Sequence, residues 1–226
     1  GNQMDSGSLV YHSPSFDIAG ATVSFDAEYS HQADDSGAGD GGTRAYSETF
    51  RNGYGLGATV KFAGLSAGIY GNERENVTPV AVGSDAVRDA FEGVWYAKYS
   101  FGPVSVGYSE SYLDSGVAGT AEAITTAKVA RTAAGIFEST SYSVAFNVNE
   151  NLSLSYTSTE DEYDAQSNAG GVDGLANVKQ DSTAIQVAYS MGAMSLKAYQ
   201  METENPGYDS DAATENVTEI ALGLAF

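Results

Sequence analysis

The amino-acid sequence predicts an all-β fold, a transmembrane antiparallel up-and-down β-barrel. Three observations predict it. First, residues 216–226 alternate: Thr218, Ile220, Leu222, Leu224 and Phe226 share one face, and Glu219, Ala221, Gly223 and Ala225 the other. A period of two marks a strand, and large apolar side chains backed by tiny ones suit a sheet with lipid outside and water inside. Second, the same unit recurs along the chain, joined by alternately short and long connections. Third, the polar faces are mostly Ser, Thr and Gly, with little of the Lys/Glu mixture of a solvated surface.

The elements follow in order. A short strand spans 8–12. At 21–29, Ala21, Val23, Phe25, Ala27 and Tyr29 oppose Thr22, Ser24, Asp26 and Glu28. At 54–62, Tyr54, Leu56, Ala58, Val60 and Phe62 oppose Gly55, Gly57, Thr59 and Lys61, and the turn Ala63-Gly64 leads into Leu65, Ala67 and Ile69. At 93–101, Trp95, Ala97, Tyr99 and Phe101 oppose Val94, Tyr96, Lys98 and Ser100; Gly102-Pro103 then returns the chain through Val104, Val106 and Tyr108. At 139–158, Tyr142, Val144, Phe146, Leu152, Leu154 and Tyr156 oppose serines, Asn147 and Thr157. At 183–201, Ile185, Val187, Tyr189, Met194, Leu196 and Ala198 oppose Ala184, Gln186, Ser190, Ser195 and Lys197 around the turn Gly192-Ala193. With the terminal strand the count is about eleven.

Short turns fall near 13–19, 63–64, 102–103, 148–151 and 192–193; long polar loops fall near 31–52, 72–91, 112–136, 159–181 and 203–215. This is the organisation of periplasmic turns and extracellular loops. Phe62, Phe101 and Phe146 lie beside short turns as one aromatic girdle. Tyr29, Tyr54, Tyr108, Tyr156 and Tyr189 are assigned to the opposite girdle.

Composition narrows the function. The 226 residues include no cysteine, which excludes disulfides and thiolate metal sites. A net charge of −20, from 30 acids against 10 bases, excludes nucleic acid as a partner. No apolar run is long enough for a transmembrane helix. A propeller needs four strands per period where this chain has two. A soluble β-sandwich binding protein is the alternative fold. Only His12 and His31 are available to a hydrolase, and neither lies in a G-x-S-x-G context; no enzyme is expected.

Gly7-Ser-Leu-Val-Tyr-His-Ser-Pro-Ser-Phe16, Tyr54-Gly-Leu-Gly-Ala-Thr-Val60, Ser100-Phe-Gly-Pro-Val-Ser-Val-Gly-Tyr108, the stretch 142–156 and Ala188-Tyr-Ser-Met-Gly-Ala-Met194 carry a resemblance. In these phrases the whole chain resembles the Gram-negative general-diffusion porins, in particular their alphaproteobacterial type. The resemblance implies a bacterial outer-membrane location, a sixteen-stranded barrel, a homotrimer, and a pore narrowed by an inward-folded loop. About eleven strands is an odd number, so the chain is expected to be one domain, 1–226, forming the C-terminal portion of a barrel whose N-terminal strands and constriction loop lie elsewhere.

The expected function is passive diffusion of small hydrophilic solutes and ions, which needs a wet lumen and no catalytic group. Asp26 and Glu28 are expected to line the pore towards the outside, and Lys61, Lys98 and Lys197 nearer the periplasmic turns. Acidic loops would concentrate cations within about 8 Å, giving a modest cation preference. No cofactor is required. Glu160, Asp161, Glu162, Asp164, Asp209 and Asp211 supply hard oxygen ligands for Ca²⁺ in extracellular loops, and a calcium-stabilised surface receptor or adhesin is the second reading. Terminal Phe226 resembles the signal read by the barrel-assembly machinery. The remaining expected partners are outer-membrane lipid and lipopolysaccharide.

Overall fold

The alternation in the sequence becomes a ladder of antiparallel strands. The computed structural model describes residues 8–30, 50–76, 84–86, 89–114, 116–119, 135–164 and 177–224. The strands are β1 (Ser8–His12), β2 (Phe16–Ile18), β3 (Ala21–Ser30), β4 (Phe50–Phe62), β5 (Leu65–Asn76), β6 (Ser84–Ala86) and β7 (Ala90–Phe101). There follow β8 (Val104–Asp114), β9 (Val117–Gly119), β10 (Ile136–Asn147), β11 (Leu152–Asp164), β12 (Val178–Met191), β13 (Met194–Glu204) and β14 (Glu215–Leu224). One 3₁₀ turn, Pro206–Tyr208, lies between β13 and β14.

The main path runs β1-β3-β4-β5-β7-β8-β10-β11-β12-β13-β14. It is up-and-down throughout. β2 adds to the β1 edge of β3, and β6 pairs with β9 apart from the sheet. β1 and β14 are the edges of the path, and no ladder among the described residues joins them.

Turn chemistry fixes the register. Ala19-Gly20 and Ala63-Gly64 have positive φ at both positions (51° and 85°; 46° and 87°), the two-residue hairpin geometry that matches strand twist. Gly102 and Gly192 take positive φ alone, at 56° and 59°, before Pro103 and Ala193. At the longer turn, Asn149 Oδ1 accepts from the amides of Asn151 and Leu152 at 2.8 and 3.0 Å.

Two expectations are corrected. The connection expected at 13–19 contains a strand of its own, β2 (Phe16–Ile18). His12 faces Asp26 and Phe16 faces Val23, so Ser13, Pro14 and Ser15 oppose only Ser24 and Phe25. That is an edge bulge, a place where Pro14 forfeits no ladder bond. The loops are also shorter than expected, because β5, β8 and β11 run on to Asn76, Asp114 and Asp164, and β10 and β12 begin at Ile136 and Val178. Backbone pairing continues past the point where the outward side chains stop being apolar, so alternation of hydrophobicity underestimates strand length.

The burial pattern is the reverse of a soluble protein's. Among the described residues the only buried hydrophobic ones are Ala90 and Tyr163, whereas Glu28, Ser30, Asn72, Asp114 and Thr203 are buried polar. Leu56 is 70% exposed and Ile220 71% exposed. Apolar faces of this extent are not left to water; the apolar side is the lipid side, and the polar side faces inward.

Candidate channel wall and mouth

The inward face is built from small hydroxyl residues that pair across strands. Ser24 Oγ meets Thr59 Oγ1 at 2.7 Å, Ser100 Oγ meets Ser105 Oγ at 2.8 Å, and Ser141 Oγ meets Thr159 Oγ1 at 2.9 Å. Each hydroxyl retains capacity for a further bond, so the wall can hold water. Tyrosines interrupt it. Tyr70 on β5 lies over Gly57, where an added Cβ would come within 2.8 Å of its ring, and donates its hydroxyl to Glu28 Oε2 at 2.9 Å.

The expected pore-lining residues all lie on this face. Glu28 is only 7% exposed and holds Tyr70; Asp26 Oδ1 lies 2.5 Å from His12 Nδ1. His12 is a partner that sequence reasoning missed, because the contact depends on the pairing of β1 with β3. Lys61 and Lys98 share one register row, each paired with Ser66 from opposite sides. Their strands are therefore about 10 Å apart, and both side chains are exposed. Lys197 is exposed too, facing Ala188 and Ala221 on distant β12 and β14. Higher on the wall, Arg74 Nη2 lies 3.4 Å from Glu92 Oε1.

The mouth has a small core of its own. Tyr163 on β11, 3% exposed, stacks at 4.8 Å between centroids on Phe137 of β10, and Tyr208 closes the trio at 5.5 and 5.6 Å. Phe137, Tyr163 and Gln180 have inward parity, so the segment after β13 folds across the lumen side of β12. It is fastened by Asn205 Nδ2 donating to the Lys179 carbonyl and by the Gly207 amide donating to Gln180 Oε1, both at 2.8 Å. Burial, with the Asp161 carboxylate adding to it, pushes the Tyr208 phenol above its usual range. The sequence offered no signal for this fold-back beyond Asn205-Pro-Gly-Tyr208 as turn residues.

The candidate calcium ligands do not gather. Glu160, Asp161, Glu162 and Asp164, expected in a loop, stand on β11, whose alternation sends Asp161 inward and the others outward. Lys179 Nζ bridges Glu160 at 2.7 Å and Glu162 at 3.5 Å. Asp209 Oδ1 accepts from the Asp211 amide at 3.0 Å. Among the described residues no group of three His or acidic side chains converges on a metal position.

On the outward face, Phe62, Phe101 and Phe146 lie beside the short turns, and Tyr29 packs on Tyr54 at 5.4 Å. Tyr108 lies between Trp95 and Tyr142, at 5.1 and 5.0 Å; Tyr156 pairs with Val144 one row below. Tyr189 belongs at the other border, facing Leu152 near the Gly192 turn. The assembly-signal residue Phe226 lies outside the described residues.

A sheet with lipid outside, a hydroxyl-lined inner face and short turns at one end defines a porin-like outer-membrane β-barrel, and such a chain resides in a bacterial outer membrane. Solved structures agree on the fold. The chain is similar to the anion-selective porin from Comamonas acidovorans (13% identity, TM-score 0.51), covering 87% of this chain and 48% of that one. It is also similar to the outer-membrane expressed OmpT of Vibrio cholerae (13% identity, TM-score 0.51), covering 92% and 60%. A form of that OmpT lacking loop L8 matches at 12% identity and TM-score 0.50, covering 96% and 61%. The chain thus spans about half to three fifths of the length of these structures. No protein-family model and no curated protein sequence matches it.

Proposed function

We propose that this chain forms part of the wall of a water-filled channel for passive diffusion of small hydrophilic solutes and ions. The single observation that supports the reading is the inner face: serine and threonine hydroxyls, with exposed Lys61, Lys98 and Lys197, opposite an apolar exterior. A lumen filled with side chains would bury large apolar groups inward; this wall has small polar ones. The finer assignment, a general-diffusion porin of the alphaproteobacterial type assembled as a homotrimer, rests on the resemblance of its turn phrases. No step in this function calls for a catalytic group or a cofactor.

A modest cation preference follows from a net charge of −20. It is modest because several inward carboxylates are engaged, Glu28 by Tyr70 and Asp26 by His12, while the lysines of the wall are exposed. The test is conductance of the full-length protein in a planar bilayer under a salt gradient. Open steps in groups of three with a small cation-selective reversal potential are expected. Folded protein that passes no current would overturn the channel reading; an anion-selective potential would overturn the ion preference alone.

A further inference from the structure

The outward face carries a feature that a channel wall does not need. Gly71 on β5 and Gly93 on β7 face one another in the ladder, and both have outward parity. Two adjacent positions without side chains leave a notch in an otherwise apolar surface. The Phe91 ring leans across it, so that a Cβ built at Gly93 or Gly71 would meet that ring at 3.0 or 3.5 Å. Around the notch is a groove of about 860 Å³, walled by Leu56 and Ile69 on one side and Trp95 and Tyr112 on the other.

Its extracellular rim is acidic. Glu73, Glu110 and Glu138 border the groove. Glu110 is fixed by Trp95 Nε1, which donates to it at 2.9 Å, and by the Tyr108 hydroxyl. Glu73 and Glu138 are exposed and have no hydrogen-bond or ion-pair partner among the described residues. Two cations, on β5 and β12, are directed elsewhere: Arg74 faces inward to Glu92, and Lys179 is occupied by Glu160 and Glu162.

We infer that this groove is a binding site for one outer-leaflet lipid with an amine-bearing, cationic headgroup. The acyl chain lies along Leu56, Ile69 and Trp95 over the glycine notch, and the headgroup sits among Glu73, Glu110 and Glu138. Apolar walls below and above them the carboxylates of Glu73 and Glu138, without partners among the described residues, beside the hydrogen-bonded Glu110, match that amphiphile in order and in charge; an anionic headgroup would meet three like charges. The inference rests on the barrel fold and its lipid-facing side, and is independent of whether the lumen conducts.

Trp95, the one tryptophan of the chain, lines the groove and reports on it. The full-length protein is reconstituted in phosphatidylcholine vesicles and titrated with brominated lipids bearing a cationic, a zwitterionic or an anionic headgroup. The signal is the fluorescence difference from the W95F variant. Half-quenching by the cationic lipid is expected at a mole fraction about threefold below that of the zwitterionic one, the scale of an exposed ion pair. The preference should disappear in E73Q/E138Q, weaken in E138Q alone, and fade at high salt. The control E202Q/E204Q, on outward positions of distant β13, should leave it intact. Equal quenching by all three lipids, an equal loss in the control, or preference for the anionic lipid in the presence of divalent cation would each overturn the site.

Discussion

At the scale of single residues, direction on the sheet decides consequence. Leu154 is 42% exposed on the outward face of β11, and Ser155, its neighbour, points inward. In a soluble protein a lysine at a surface leucine is nearly neutral. Facing lipid, Leu154→Lys should cost about 2–4 kcal/mol, whereas Ser155→Lys should cost less than about 1 kcal/mol because its ammonium reaches water. Reversible urea unfolding in vesicles checks the pair, and equal costs would refute the assigned faces. Tyr208 gives a pH dependence. Its phenol is raised in the folded protein, by burial first and Asp161 second. A raised pKa means the contribution is whole below the unfolded value of about 10 and is lost as pH climbs through the folded value. The segment after β13 should therefore become protease-sensitive in strong alkali, and Tyr208→Phe should abolish that dependence. Neither the fold-back nor the His12–Asp26 pair was legible in the sequence, since each joins residues whose proximity depends on strand pairing or loop path rather than on any local pattern.

At the scale of elements, the hairpin turns separate two roles of glycine. Gly64 has φ of 87°, and a Cβ there would meet the Ser100 carbonyl oxygen at 2.5 Å. Gly192 has φ of 59° and nothing within 4 Å of its added Cβ. Gly192→Ala should therefore cost about 1 kcal/mol, the left-handed penalty alone. Gly64→Ala adds a backbone clash, and should cost about 2 kcal/mol or more. Thermal shift of the folded form on gels checks the order, which a clash-free Gly64 would erase. Strand identity was legible because each lipid-crossing stretch alternates, and Ala63-Gly64 and Gly192-Ala193 announce their turns. Strand length was not. Glu160 to Asp164 read as loop because acids ended the apolar pattern, yet the β10–β11 ladder continues to Asp164 opposite Ile136. Hydrogen bonding between backbones is blind to side-chain polarity. The same alternation sets Asp161 on the face opposite Glu160, Glu162 and Asp164.

At the scale of the whole molecule, the lipid border gives the strand tilt. On β4 the last apolar outward residue before the polar zone is Tyr54, and its ladder row reaches Phe91 on β7 through Glu73. On β14 that residue is Ile220, whose row passes Ala198, Val187, Leu154, Phe146 and Val104 to reach Phe101 on β7. Between them the border descends in steps, through Tyr108 and Tyr142 in one row and Tyr156 and Ile185 in the next. It thus shifts by the ten residues from Phe91 to Phe101 while crossing eight strand-to-strand steps. At ~3.3 Å per residue and ~4.8 Å per strand, that is about 33 Å against about 38 Å, a tilt of about 40°. This lies within the range of outer-membrane barrels. The same slope carried round sixteen strands would accumulate a stagger of about twenty residues, as closure of a tilted sheet requires. Polarised infrared dichroism of the full-length protein in oriented bilayers should accordingly give a strand tilt of about 40° from the membrane normal. Strands lying in the membrane plane or standing upright would contradict the border drawn from Tyr54 to Ile220, and with it the assignment of the outward face to lipid.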